Sequence, residues 1–239
     1  TREFVNLGIL EPLDEYMDND PEFNREDYNP SVMEPFDGST YLVPYSMLSF
    51  VLFYNKDMYD AAGLQVPQTW DEIVSNAEAL TDPDNSEYGF TLTMNEGGAA
   101  NGSIVTMYPL LYAAGGRTLV DGEFRCETPE MLEVMRFLKD LTETGAVLPG
   151  WNQRISPMMV EEYSQGNVAM MILTDGQITQ LETTAPDLNY SIIPLPTPDG
   201  TGEPDMRHHG WEIGMSSISE NKEEAWSFIS FLLRRENME

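Results

Sequence analysis

The sequence predicts an α/β fold, because short apolar strands alternate along the chain with amphipathic helices of about a dozen residues. The segments 41–45, 50–54 and 168–173 are dense in aromatic, branched and other apolar residues, as buried strands are. Helix start and stop signals separate these strands. Strands interleaved with helices favour a sheet with mainly parallel pairing.

Local signals locate the remaining elements. Asn55 can cap a short helix that ends at Gly63, and Thr69 with Glu72 forms a capping box for the next helix. Pro129 occupies a first helical position. We further expect strands over 88–94, 190–195 and 211–218, helices over 107–114, 156–166 and 223–233, and a hairpin turn at 121–122. The last helix should place four residues on its inner face: Ala225, Phe228, Ile229 and Leu232.

Composition limits the classes of function. The 239 residues include 12 Lys and Arg against 41 Asp and Glu, a formal net charge of −29 that would repel nucleic-acid phosphates and anionic lipids. With 41% hydrophobic residues the chain is expected to be globular. The lone Cys126 excludes an internal disulfide framework and Cys-pair metal motifs. No segment reaches the roughly 20 apolar residues of a membrane span.

Four segments resemble a known family in its order along the chain. They are YNKDMYDAAGL followed by TWDEI within 54–73, PLLYAAGG with TPEMLEVMRFLKDL at 109–116 and 128–141, YSQGNVAMMI at 163–172, and IIPLPTPDG with the stretch up to residue 233. This sequence is similar to the extracellular solute-binding proteins of ABC transporters, in the sugar-binding group that includes maltose-binding protein.

The resemblance implies a two-lobe periplasmic-binding-protein-like (type II) fold with hinge strands. By position, residues 1–45 and 198–239 would belong to the N-terminal lobe and 46–197 to the C-terminal lobe. The Pro- and Gly-rich stretch 194–204 independently reads as a linker. Family members usually begin with a βαβ unit and end with helices that have no counterpart here, so we expect an internal fragment, incomplete at both ends.

The function that the resemblance implies is binding without catalysis. A sugar or oligosaccharide would bind between the lobes and pass to the permease subunits of an ABC importer. The protein would be a monomer without a cofactor, outside the cytoplasm, either periplasmic or lipid-anchored. Two alternatives stay open: a binder of polyamines or other cationic solutes, which the negative charge suits, and a glycoside hydrolase, which needs a pair of carboxyl groups.

Candidate ligand residues follow from sugar chemistry, in which aromatic faces stack on the ring and carboxylates or amides bind hydroxyls. Tyr45 and Ser46 lie at the expected lobe crossing. Trp211 is the strongest aromatic candidate; Glu212 is weaker because it should point to the opposite face, and His209 with Gly210 replaces the usual Gly-Gly pair of the family. Tyr45 and Trp211 could equally be core residues.

A second group of candidates lies in the middle of the chain. Asn101 belongs to a polar loop expected over 95–103, and Tyr108 follows it. Trp151 is either a stacking platform or a loop anchor. Gly176 stands where the family typically has a tryptophan, while the adjacent Asp175 brings a carboxylate to this loop. Metal binding is disfavoured, since the neighbouring His208 and His209 should point to opposite faces of a strand.

Overall fold

The structure is a computed structural model of the chain that describes residues 2–28, 33, 35–94, 101–120, 122–202 and 208–238, with the backbone alone described at 101–104 and 208–209. The chain divides into two compact units. Unit 1 comprises Thr1–Met47 and His209–Glu239, and unit 2 comprises Leu48–His208. Within the described ranges, no helix combines the length and apolar character needed to cross a membrane.

The elements follow one another in this order. Unit 1 opens with α1 (Arg2–Asn6), α2 (Asp14–Asn19) and the start of β1 (Leu42–Asn55), which continues into unit 2. Unit 2 then contains α3 (Lys56–Ala62), α4 (Trp70–Ala79), β2 (Tyr88–Thr91), α5 (Asn101–Ala113), β3 (Leu119–Val120), β4 (Glu123–Phe124), α6 (Pro129–Glu143), α7 (Ser156–Ser164), β5 (Val168–Thr174), α8 (Gln177–Thr184) and β6 (Tyr190–Pro194). The chain returns to unit 1 through β7 (His208–Gly214), followed by α9 (Lys222–Leu232) and α10 (Arg235–Met238).

The sheet of unit 2 has the strand order β2-β5-β1-β6. Strand β1 pairs antiparallel with both β5 and β6, and only β2 and β5 pair in parallel. The expectation of mainly parallel pairing is therefore wrong for these strands. A hydrophobic pattern indicates that a strand is buried, but it does not indicate whether the strand runs parallel or antiparallel to its neighbours.

The core of unit 2 has two layers, one on each face of this sheet. Leu52 and Ile172 lie opposite each other in β1 and β5 and belong to one hydrophobic cluster with residues of α4, α5 and α6. The next pair, Phe53 and Met171, belongs to a second cluster with residues of α7 and α8. Burial on both faces explains why these strands are continuous apolar runs.

Unit 1 has a smaller core, in which α2 and α9 cover strands β1 and β7. Trp226 and Ile229 of α9 are buried, as are Leu233, which follows α9, and Val43 of β1. Phe228 was expected on this inner face but is 59% exposed. The helix is rotated so that Trp226 takes the buried position, where its indole N–H is satisfied by the Asp20 carboxylate at 3.0 Å.

Most helix signals are confirmed. Asn55 and Thr69 each accept a hydrogen bond from the third backbone N–H of the helix that follows them, at 3.2 and 3.1 Å. Glu72 closes its capping box differently, by accepting from the backbone N–H of Gln68. Other expectations are corrected: α8 was not expected, residues 42–45 and 50–54 belong to one strand, β2 ends at Thr91 where a strand to 94 was expected, and β7 spans His208–Gly214 where a strand over 211–218 was expected.

Candidate functional site

Five of the candidate ligand residues lie on two paired strands of unit 1. Tyr45 and Ser46 are in β1, and His209, Trp211 and Glu212 are in β7. A Cβ atom added at Gly210 would lie 2.1 Å from the Ser46 carbonyl oxygen, and one added at Gly214 would lie 2.8 Å from that of Tyr41. Residue numbers therefore increase along β7 while those of the facing positions in β1 decrease, so the two strands are antiparallel. This pairing brings Trp211 near Tyr45.

The side chains of Tyr45 and Trp211 extend one face of this strand pair. Val43 and Ile213, each two residues away, pack in the unit 1 core, and successive alternate residues of a strand share a face. Tyr45 is nevertheless 41% exposed and Trp211 60% exposed, and Met47 on the same face is also exposed. We call the two exposed rings of Tyr45 and Trp211 the aromatic face.

The close backbone approach at Gly210 restricts this position to glycine, because any side chain would collide with the Ser46 carbonyl group. Ser46 is half-buried and contributes its backbone to the strand pair. Glu212 is exposed, and strand alternation puts it on the face opposite Trp211. For His209 the structure describes the backbone, and the conformation of its side chain lies outside the description.

Asp175 links two strands of unit 2. Its Oδ1 atom accepts a hydrogen bond from the backbone N–H of Ser49 at 3.1 Å, and its own N–H donates to the Ser49 carbonyl oxygen at 2.9 Å. The carboxylate therefore fastens β1 to the turn that precedes α8. A Cβ atom at the neighbouring Gly176 would lie 3.0 Å from a methyl group of Leu48, so a larger side chain there would require Leu48 to move.

The other unit 2 candidates lie around α5. Asn101 is the first residue of this helix, so residues 101–103 are helical and not part of a loop, while 95–100 fall outside the described residues. The helix expected over 107–114 therefore begins earlier, at Asn101, and Pro109 lies inside it. Tyr108 is half-buried on the same helix. Trp151 is half-buried against the unit 2 core, and its carbonyl oxygen accepts from the Met94 N–H at 3.2 Å.

A polar network that the sequence did not indicate supports this region. Arg154 and Glu162 form an ion pair at 2.6 Å with side chains only 15% and 18% exposed, and the Thr91 hydroxyl of β2 also donates to the Glu162 carboxylate. The two charged residues belong to no recognisable motif. The one available signal is the pair of threonines, Thr91 and Thr93, in the mainly apolar segment 88–94, because buried hydroxyl groups must find hydrogen-bond partners.

Metal chemistry finds no support in the described part of the chain, where no three His, Cys, Asp or Glu side chains are grouped to hold an ion. Cys126 is an exposed free thiol. Sugar recognition requires none of these groups; it uses aromatic faces and neutral or anionic hydrogen-bond acceptors. Tyr45 and Trp211 of unit 1 are exposed aromatic rings of the kind that such recognition uses.

The fold identifies the class of the protein as a two-lobe periplasmic binding protein. A solute-binding protein from Thermotoga lettingae, solved with alpha-D-tagatose bound, matches 98% of this chain with a TM-score of 0.82 and 28% identity. One from Agrobacterium radiobacter K84, solved with ribitol, matches 98% with a TM-score of 0.83 and 26% identity. The chain covers 60% of each of these proteins.

The family follows from the sequence comparisons. The model of the family described as bacterial extracellular solute-binding protein matches residues 1–239, and the chain belongs to this family. A Brucella abortus relative described as a binding protein is 31% identical over 98% of this chain. The chain covers 56% of that relative, so it spans little more than half the length of the proteins it matches.

Proposed function

We propose that this chain carries the ligand-binding residues of a sugar- or polyol-binding component of an ABC importer. The observation that carries the proposal is the aromatic face of unit 1, where Trp211 is 60% exposed although it extends the core face of its strand pair. Two similar proteins of the same fold were solved with a sugar and with a sugar alcohol, which supports ligands of this class.

The chemistry of the aromatic face suits a neutral polyhydroxylated ligand. The C–H face of such a ligand packs against indole and phenol rings, and the hydroxyl groups turn to polar partners at the rim. Exposing the apolar surface of a tryptophan to water costs free energy, and covering that surface with a ligand would recover it. Ser46 and Glu212 lie on the same strand pair, but strand alternation puts both on the face opposite Tyr45 and Trp211, so they supply no hydroxyl partners to a ligand on the aromatic face.

In this proposal the two units are parts of the two lobes of the binding protein, with residues 1–45 and 198–239 in one lobe and 46–197 in the other. Ligand binding shifts an equilibrium between open and closed forms. The permease subunits of the importer recognise the closed form, and the protein works outside the cytoplasm. The chain itself catalyses no reaction.

The test is ligand binding by the 239-residue chain with a matched pair of variants. Alpha-D-tagatose, ribitol and maltose are titrated by calorimetry, and the shift in unfolding temperature is measured in parallel. A ligand at about 100 times its Kd stabilises the folded state by about 2.7 kcal/mol. We expect Trp211→Ala to weaken binding about tenfold, the equivalent of about 1.4 kcal/mol, a loss in the range of aromatic contacts.

Phe228→Ala is the control, because Phe228 is an aromatic residue of the same unit with almost the same exposure, 59% against 60% for Trp211. It should leave the affinity unchanged. The proposal fails if none of the three ligands binds, or if both alanine variants weaken binding equally. Turnover of a chromogenic glycoside that a single carboxylate substitution abolishes would instead show a hydrolase.

A further inference from the structure

A chain of hydrogen bonds in unit 2 joins five buried or half-buried polar residues: Thr91, Thr93, Thr106, Arg154 and Glu162. We call this set the threonine–arginine network. All three threonines are buried, at 0%, 0% and 4% exposure, inside an apolar core. Polar groups in such surroundings are costly unless they are paired, so the arrangement requires an explanation.

The centre of the network is the ion pair between Arg154 and Glu162. The guanidinium Nε atom lies 2.6 Å from Oε1 and 2.9 Å from Oε2 of the carboxylate. The Nη1 atom donates to the carbonyl oxygen of Pro149 at 2.5 Å. One side chain thus joins helix α7, which carries Glu162, to the start of the loop 149–154.

The threonines connect this ion pair to the end of β2 and to α5. The Thr91 hydroxyl donates to Oε2 of Glu162 at 3.2 Å, and the Thr93 hydroxyl donates to the carbonyl oxygen of Arg154. The Thr106 hydroxyl donates to the carbonyl oxygen of Thr93 at 2.6 Å. Thr106 is two residues from Tyr108 on α5, so the network reaches the element that carries this candidate residue.

The same network fixes the loop that carries Trp151. Gly150 has a φ of 87°, and a Cβ atom at this position would lie 2.8 Å from Nη1 of Arg154, so the loop and the guanidinium group are packed against each other. The Trp151 carbonyl oxygen accepts hydrogen bonds from Met94 at 3.2 Å and from Arg154 at 3.4 Å. Removing the Arg154 guanidinium group would therefore free the start of the loop at Pro149, which it holds through Nη1.

We propose that Arg154 and Glu162 are positioning residues that hold Trp151 and α5 in the arrangement required for ligand binding. The inference rests on the proposed function, since it assigns Trp151 and Tyr108 to the binding surface of unit 2. Neither charged residue contacts the ligand in this role. They act through the loop 149–154 and through Thr93 and Thr106.

Physical reasoning separates positioning from simple stabilisation. A buried ion pair contributes little net stability compared with well-packed neutral residues of similar volume, whereas removing one partner leaves an uncompensated charge. A double replacement that removes both charges should therefore preserve the fold. It would still lose the bifurcated Nε–H bond to the Glu162 carboxylate and the bond to the Pro149 carbonyl oxygen that orient the loop.

The experiment compares the parent chain with Arg154→Met/Glu162→Gln, in which Gln retains an acceptor for the Thr91 hydroxyl. The single variant Arg154→Met leaves Glu162 buried without its partner and is expected to lower the unfolding temperature. Lys139→Met is the control for Arg154→Met, because each removes one positive charge from an ion pair of unit 2, but the Lys139 and Glu143 side chains are 63% and 64% exposed. Each protein is labelled with 5-fluorotryptophan, and the Trp151 resonance is assigned through its loss in Trp151→Phe.

We expect the double variant to keep the unfolding temperature of the parent. The Trp151 resonance should shift or split, and tagatose or ribitol should bind about tenfold more weakly, because the side chains that support the loop 149–154 no longer hold it in place. Lys139→Met should change neither the resonance nor the affinity. An unchanged resonance or an unchanged affinity in the double variant overturns the inference. If the parent chain binds no sugar or polyol, the proposed function fails, and the Trp151 resonance alone decides whether the network positions the loop.

Discussion

Two buried tyrosines of unit 2 allow a direct test of the packing, because they differ in one respect. Tyr163 is fully buried, and its hydroxyl group has no hydrogen-bond partner among the described residues. Tyr59 is also buried, but its hydroxyl donates to the Met170 sulfur at 2.9 Å and accepts from Asn76 at 3.5 Å. Replacing each by phenylalanine removes the same atom from two different environments.

The expected effects have opposite signs. A buried donor without a partner costs about 1–3 kcal/mol, and Tyr163→Phe removes that cost. The ring contacts stay, since Tyr163 meets Phe53 and Tyr190 edge-on at centroid distances of 6.2 and 6.3 Å. We expect the free energy of unfolding to rise by about 1 kcal/mol in Tyr163→Phe and to fall by about 1 kcal/mol in Tyr59→Phe, which loses a satisfied hydrogen bond.

The pH dependence provides a second measure of the same burial. Burial raises the pKa of Tyr59 to about 12, although the hydrogen bond from Asn76 partly opposes it, and burial also raises the pKa of Tyr163. The pKa of each tyrosine is higher in the folded than in the unfolded protein, so folding favours the neutral form. The free energy of unfolding therefore does not change through these groups below about pH 10, and above that pH it falls by about 1.4 kcal/mol per pH unit for each tyrosine. Either phenylalanine variant should therefore unfold less steeply with alkaline pH than the parent.

The assay is urea unfolding followed by circular dichroism, at neutral pH and in steps above pH 10, with m-values checked for agreement. A Tyr163→Phe variant that is less stable than the parent by 1 kcal/mol or more, as is expected for Tyr59→Phe, would refute the reasoning. It would mean that the Tyr163 hydroxyl group is satisfied in the folded protein.

Two further predictions concern the strand pair of unit 1 and the charge of the whole chain. Gly210→Ala should destabilise the protein by about 1–3 kcal/mol or more in urea unfolding, because its Cβ would meet the Ser46 carbonyl oxygen. The control Gly176→Ala should stay within about 0.5 kcal/mol of the parent, because its Cβ meets only the flexible Leu48 side chain. Equal effects of the two substitutions would contradict the close approach at Gly210. With a net charge of −29, the unfolding temperature should rise from low salt to about 1 M NaCl, where the Debye length is about 3 Å, and an unfolding temperature independent of salt would show that self-repulsion is not a significant cost.

The parts of the fold that the sequence predicts are those set by local chemistry. Asn55 and Thr69 cap helices because their side chains reach backbone N–H groups only three residues away. Strand β5 is recognisable because every one of its residues is buried. The direction of β1 relative to β5 is not a local property, and neither is the rotation of α9 that buries Trp226 and exposes Phe228, which depends on the Asp20 carboxylate more than 200 residues away.

The candidate site shows the same division. Residue type and strand alternation place Trp211 and Glu212 on opposite faces of β7, which a sequence pattern can express. The bond from Ser49 to Asp175 connects positions 126 residues apart, so no spacing rule reveals that this carboxylate fastens β1. The sequence does not reveal the Arg154–Glu162 pair for a related reason. Among 41 acidic residues, charge alone does not distinguish the half-buried Glu162 from a solvated neighbour.

The carboxylates that the fold uses are a small part of the negative charge. Asp20 accepts hydrogen bonds from Ser230, from Trp226 and from a backbone N–H; burial raises its pKa, but these bonds outweigh burial and hold the pKa below its usual value. Asp175 and Glu162 likewise accept bonds from within their own unit. Each of these three carboxylates is oriented by bonds within its own unit. The net charge is expected to govern the salt dependence of stability, and the proposal of an uncharged polyhydroxylated ligand rests on the exposed rings of Tyr45 and Trp211.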